Sequence, residues 1–136
     1  MVDKSGSVPV QIEHLLGIVR RLRDPDQGCP WDVGQTFQSI VPHTIEEAYE
    51  LADAIESNDF DQIREEAGDV LFQVLFYAQM ADEKQHFNFA DVVDGLSEKL
   101  IRRHPHVFSR NSTAQQETPI AVSDVSDSWE KIKRTE

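Results

Sequence analysis

Glu46-Glu47-Ala48-Tyr49-Glu50 and Glu65-Glu66-Ala67-Gly68-Asp69 are two acidic clusters inside segments whose apolar residues recur at helical spacing. In each, two acids stand three apart, Glu47 with Glu50 and Glu66 with Asp69, so each pair projects from one face of its helix. Two such helices packed side by side gather four carboxylates. Four ionised acids in one pocket repel each other and rise in pKa unless a cation lies among them. Mg²⁺ suits the position, because it takes oxygen ligands, keeps several waters and bridges carboxylates to phosphates. One Glu-x-x-Glu alone reads most simply as a solvated helix face. Two pairs favour a metal site.

The chain has 136 residues, enough for one domain with a real core and too few for two of ordinary size. Its formal charge of −12 argues against a nucleic-acid polymer or an anionic membrane as partner, since both are bound through Lys and Arg. A small anionic ligand fits if metal ions or a local basic patch receive it. The single cysteine, Cys29, permits no internal disulfide and suits a reducing compartment. No stretch approaches the roughly 20 apolar residues of a membrane span, and Met1 to Ser7 lacks the apolar region of a signal peptide. A soluble, cytoplasmic protein is expected.

Along the chain, Ile12, Leu15, Leu16, Val19 and Leu22 predict a first helix ending near Asp24, with Arg20, Arg21 and Arg23 complementing its dipole. Asp26 to Asp32 is dense in turn residues and predicts a loop, broken by Gly28 and Pro30 and carrying the large aromatic Trp31. Thr44 followed by Glu47 predicts a capping box opening the second helix, with Ile45, Ala48, Leu51, Ala52 and Ile55 as its apolar set. A capping role for Glu47 competes with a metal role. Asp59 with Gln62 predicts the cap of a long helix reaching about Gln85.

Between Val70 and Ala78 that long helix is apolar at almost every position, more than one small chain can cover, which predicts a homo-oligomer and most simply a two-fold dimer. Gly68 costs about 1 kcal/mol relative to Ala in its interior and is either a point of close backbone approach or a tolerated small residue. Phe89, Val92, Val93, Leu96 and Leu100 define a further helix, ending in the cations Lys99, Arg102 and Arg103 before Pro105 turns the chain. Dipole complementation explains one or two of those cations, not three. The expected organisation is a helical core over 1–108, a polar, mobile linker over 109–122, and a last helix over 123–136 that carries Trp129 and Lys133 to the site. Acids for Mg²⁺, a basic helix end and a late aromatic with a lysine suit a nucleoside triphosphate, without the Gly-rich loop of Walker-type enzymes.

These residues also carry a resemblance. Glu47-Ala48-Tyr49-Glu50 with Glu66-Ala67-Gly68-Asp69 resembles the motif pair of the MazG nucleoside triphosphate pyrophosphohydrolases. So do Arg21 to Pro25, Gly28 to Asp32, Gln35-Thr36-Phe37, the run from Lys99 to Phe108, and Trp129 to Lys133, a likeness over roughly residues 12 to 134. The resemblance implies an all-α bundle of about four to five helices that assembles as a dimer. It also implies Mg²⁺-dependent hydrolysis, with Mn²⁺ as a substitute ion, of NTPs or dNTPs to the monophosphate and pyrophosphate, a nucleotide-pool house-cleaning activity. By matching position Glu47, Glu50, Glu66 and Asp69 are the metal ligands and catalytic acids. Lys99, Arg102 and Arg103 are phosphate contacts, Trp129 and Lys133 nucleotide contacts, and His43 and Thr44 line the same site. Longer members carry two such domains, and this chain resembles the first, including its His104-Pro105-His106 turn.

Two other classes compete. A carboxylate-bridged di-iron bundle needs a Glu-x-x-His from each of two helices, and only Glu83-Lys84-Gln85-His86 matches. The alternative that survives better is a catalytically weak helical dimer that binds nucleotide or a protein partner.

Overall fold

Thr36 rather than Thr44 opens the helix that carries the first acidic pair. Thr36 Oγ1 accepts from the Ser39 amide at 3.1 Å and Ser39 Oγ accepts from the Thr36 amide at 2.8 Å, a reciprocal box that starts the helix at Phe37. The helix then runs through Pro42 to Glu56. Thr44 is therefore an interior residue, and the capping role that competed for Glu47 does not exist.

The computed structural model describes residues 6–109 and 120–136, and these are all-α, with no strand among them. The helices are α1 (Val8–Leu22), α2 (Pro30–Val33), α3 (Phe37–Glu56), α4 (Phe60–Glu83), α5 (Phe89–Arg103), α6 (Pro105–Phe108) and α7 (Val122–Thr135). The seven helices among the described residues exceed the expected four to five because two stretches read as loop and extended turn each wind one helical turn. Both are started by a proline at the first helical position, where its missing N–H has no helical partner to lose. Most of the stretch expected as a linker, residues 110–119, lies outside the described residues. Among those described, no helix is long and apolar enough to cross a membrane. Packing divides the chain into two units, Met1–Phe89 and Ala90–Glu136.

In the first unit α3 and α4 form the main packed pair. Asp59 caps α4 as its sequence predicts, accepting from the Gln62 amide at 3.3 Å. The turn between the helices closes with Asn58 at φ 55°, its amide bonding the Ile55 carbonyl at 3.0 Å while the Asp59 amide reaches Ala54 at 3.4 Å. Val19 of α1, Ile40 of α3, and Leu75, Phe76 and Met80 of α4 are the buried core. Each large apolar side chain removed from water contributes roughly 1.5–3 kcal/mol.

α3 turns inward a different stripe from the one its apolar residues suggest. Ile40, Thr44, Glu47, Leu51 and Ala54 are buried or half-buried, whereas Ile45 and Ile55 of the expected set are 52% and 55% exposed. The inward stripe holds a threonine and a glutamate, so its hydrophobic signal is weak. The outward stripe is apolar and uncovered within the chain. Gly68 of α4 likewise has nothing within 4 Å of a Cβ built there, so no neighbouring element among the described residues approaches it.

Arg23, at the end of α1, fixes the 24–35 segment to the core. Its Nη1 donates to the carbonyls of Asp32 (2.8 Å), Val33 (3.1 Å) and Gln35 (3.2 Å), while Nη2 and Nε hold the Glu83 carboxylate at 2.6 and 3.1 Å. The guanidinium also lies over the Phe76 ring. This is more than the dipole complementation expected of it. Gly28 is needed in the same segment by contact, since a Cβ would lie 2.5 Å from the Asp24 carbonyl oxygen.

Candidate metal centre

The inward faces of α3 and α4 bring together three of the four acids whose spacing suggested a shared pocket. Glu47, Glu66 and Asp69 each present an oxygen, and the three lie within 4.8 Å of one another. Glu50 is exposed and adjoins the set through hydrogen-bonding reach to Glu66. Burial raises the Glu47 carboxyl above the ordinary carboxylate range, and the charges of Asp69, Glu50 and Glu46 raise it further. Glu66 is raised in the same way, first by burial and then by Glu50, Asp69 and Glu47. One oxygen of Glu47 and one of Glu66 are buried with no hydrogen-bond partner among the described residues. Buried oxygens without donors, on mutually repelling acids, are the donor set a hard divalent cation takes. The residues fit the ion their spacing suggests.

A cavity of about 170 Å³ opens beside these acids. Glu47 and Asp69 line it on the ligand side, Trp31, His43 and Phe76 wall it, and the buried amide of Gln73 faces it. Trp31 sits edge-on to His43, ring centroids 5.4 Å apart, on the segment that Arg23 anchors. His43 thus lines the cavity beside the acids. Thr44 contributes from within the helix, bonding Gln73 Oε1 at 2.9 Å and the Tyr77 hydroxyl at 2.7 Å. Trp31, Gln73 and Tyr77 were not among the expected site residues. An aromatic in a polar loop and a glutamine inside an apolar helical run are the signals that pointed to the first two.

The second unit collects the basic and aromatic residues. Lys99 is exposed on α5. Arg102 and Arg103 are engaged by Glu136, with Arg102 Nη2, Arg103 Nε and Arg103 Nη2 donating at 3.0, 3.0 and 3.1 Å. The Arg103 and then the Arg102 hydrogen bonds pull the Glu136 carboxyl down to about 2. Trp129 packs against Arg103 and Lys133, whose cationic groups lie 5.8 and 5.0 Å from its ring centroid. His104 meets the same ring at 5.8 Å, and the buried indole Nε1 has no partner among the described residues.

A helical pair that converges carboxylates beside an aromatic-walled cavity defines an α-helical protein with a candidate metal centre. Residues 35–108 match the MazG nucleotide pyrophosphohydrolase domain, and the chain belongs to that family. It is 53% identical over 126 residues to the nucleoside triphosphate pyrophosphohydrolase of Escherichia coli K12, covering 93% of this chain and 46% of that one. It is 52% identical over 99 residues to a nucleoside triphosphate pyrophosphohydrolase/pyrophosphatase MazG of Thermotoga maritima, covering 73% and 38%. The chain thus spans about half the length, or less, of these curated relatives. The crystal structure of a mazG-related protein from Thermotoga maritima superposes with a TM-score of 0.70 at 27% identity, covering 90% of this chain and 98% of that one.

A carboxyl raised above its ordinary pKa only in the folded state removes stability as pH rises through that range, because the folded chain still holds a proton the unfolded chain has lost. At neutral pH Glu47 and Glu66 therefore strain the ion-free fold, and the strain eases toward about pH 4.5. Glu66→Gln is expected to melt above the wild type at about pH 7.5 in EDTA, with the difference closing on acidification, and to lose the Mg²⁺-induced rise in melting temperature. Calorimetry across that pH range measures both. A lower midpoint for the variant at neutral pH contradicts the repulsion.

Proposed function

We propose that the chain is a cytoplasmic, Mg²⁺-dependent nucleoside triphosphate pyrophosphohydrolase domain, acting on NTPs or dNTPs to give the monophosphate and pyrophosphate. The observation that carries this reading is the set of carboxylate oxygens within 4.8 Å, two of the acids holding a buried oxygen without a donor. Glu47, Glu50, Glu66 and Asp69 hold the ion, which when bound neutralises phosphate oxygens and acidifies a water. The cavity by Trp31, His43 and Gln73 receives the nucleoside, its aromatic wall covering an apolar base face and its amide meeting a polar edge. Within the second unit, Lys99, Arg102 and Arg103 are the proposed phosphate contacts and Trp129 and Lys133 the proposed nucleotide contacts. Relatives named nucleoside triphosphate pyrophosphohydrolases support the reaction class.

Purified protein with Mg²⁺ and a panel of NTPs and dNTPs should release pyrophosphate. Glu50→Gln and Asp69→Asn should each lose on the order of 100-fold or more, beyond the usual cost of changes outside the ligand set, with circular dichroism unchanged. A variant that keeps half its activity leaves the ligand set. Binding of ion and nucleotide without pyrophosphate release instead makes the chain a nucleotide-binding helical protein.

For Arg102 and Arg103 to hold phosphate they must exchange the Glu136 carboxylate for it. Lys99→Ala should raise KM by about tenfold, the size of a lost charge-assisted contact. Glu136→Gln should lower KM a few-fold, as an exposed ion pair is worth little in itself. Equal KM values across wild type and both variants make this basic end structural.

We also propose a homodimer through the outer faces of α3 and α4. Val41, Ile45, Tyr49 and Ile55 on α3 and Leu71 and Val74 on α4 are all exposed, and large exposed apolar patches mark interaction surfaces. Sedimentation equilibrium should give twice the chain mass, and Ile45→Lys should return it to one. A monomeric wild type removes the dimer.

A further inference from the structure

α3 and α4 meet through a surface of alternating character, and its polar layer adjoins the acids. Thr44 stands three residues before Glu47 on α3, and Gln73 four after Asp69 on α4, so both lie one turn from the ligand set on the facing sides. Thr44 Oγ1 is 2.9 Å from Gln73 Oε1 and 2.7 Å from the Tyr77 hydroxyl, both shorter than its 3.3 Å contact to the Ile40 carbonyl on its own helix. The one Thr44 proton goes to Gln73 Oε1, an acceptor, so Tyr77 donates to Thr44. This leaves the Gln73 –NH₂ for the cavity that the residue lines. Tyr77 is itself held by Phe37 from α3, the rings stacked at 5.8 Å with 18° between planes.

An apolar helix pair tolerates sliding, because one methyl replaces another at little cost. A buried hydrogen-bonded chain does not, since a shift of one turn leaves its donors and acceptors unpaired. We infer that Thr44 and Tyr77 are positioning residues, a hydrogen-bonded clamp that fixes the register of α3 against α4 and so keeps Glu47 opposite Glu66 and Asp69. The clamp is a property of the helix pair. Only the identity of the ion it serves rests on the proposed function.

The test compares Thr44→Val, which keeps the shape and removes the hydroxyl, with Thr44→Ser, which keeps the hydroxyl, and with Tyr77→Phe. Mg²⁺ affinity is read by titration calorimetry, and amide exchange over residues 44–51 and 66–73 is read in EDTA. Thr44→Val and Tyr77→Phe should weaken Mg²⁺ binding by about tenfold, the low end of what supporting residues behind a ligand are worth. Both should speed exchange in the two segments without metal, and Thr44→Ser should restore wild-type values. Unchanged affinity and exchange in Thr44→Val overturns the clamp, as does equal loss in Thr44→Ser. If the wild type binds no Mg²⁺, the proposed function fails, and the metal-free exchange data alone decide the register.

Discussion

The repulsion among Glu47, Glu66 and Asp69 is the constraint around which the first unit is built. Like charges within 4.8 Å push α3 from α4, so some other interaction must hold the helices together while the acids face each other. Ile40, Leu75, Phe76 and Met80 supply it, buried with Val19 of α1 beyond the acidic layer. The Thr44–Gln73–Tyr77 chain lies between the two. Apolar burial gives the attraction and has no direction, whereas the hydrogen bonds are directional and add little net energy. Together they hold a geometry that the ligands alone would abandon. A bound cation then gains what the repulsion withheld, because the acids need not move to meet it.

The acidic pairs were legible because their signal is geometric: two acids three apart on a helix must share a face wherever the helix packs. Asp59 was legible for the same kind of reason, its capping oxygen reaching a neighbour three residues away. Thr44 misled because Thr-x-x-Glu is a local pattern that a helix interior satisfies equally well, and Thr36-x-x-Ser39 is a less common spelling of the same box. Pro42, a residue type that usually marks a helix boundary, lies within α3. The inward face of α3 was misread because polar residues lie on it. A stripe of Thr44 and Glu47 between Ile40 and Leu51 looks like surface to any hydrophobic count, while Ile45 and Ile55 on the outer face look like core.

The basic end of α5 shows a different limit. Lys99, Arg102 and Arg103 read as three cations awaiting an anion in an acidic chain, yet two of them are engaged by Glu136, a pairing that only the folded second unit reveals. No spacing rule connects residues so far apart. Trp129 likewise read as a nucleotide contact, and it packs against Arg103 and Lys133. Its contribution is first to orient two cations, since a guanidinium over an indole face loses freedom without losing charge.

Assembly and chemistry are coupled through the same two helices in the dimer we propose. The outer stripe of α3, with Ile45 and Ile55, lies on the back of the helix whose inner stripe carries Glu47. Covering that back face with a second copy adds apolar contact to a helix under outward electrostatic push, and it does so without adding anything to the acidic layer itself. A chain that instead strengthened the α3–α4 contact by placing apolar residues at 47 or 66 would lose its ligands. Cohesion therefore has to come from a surface other than the one that carries the acids. The apolar outer faces, costly for a monomer in water, are what a helix pair with charged inner faces requires.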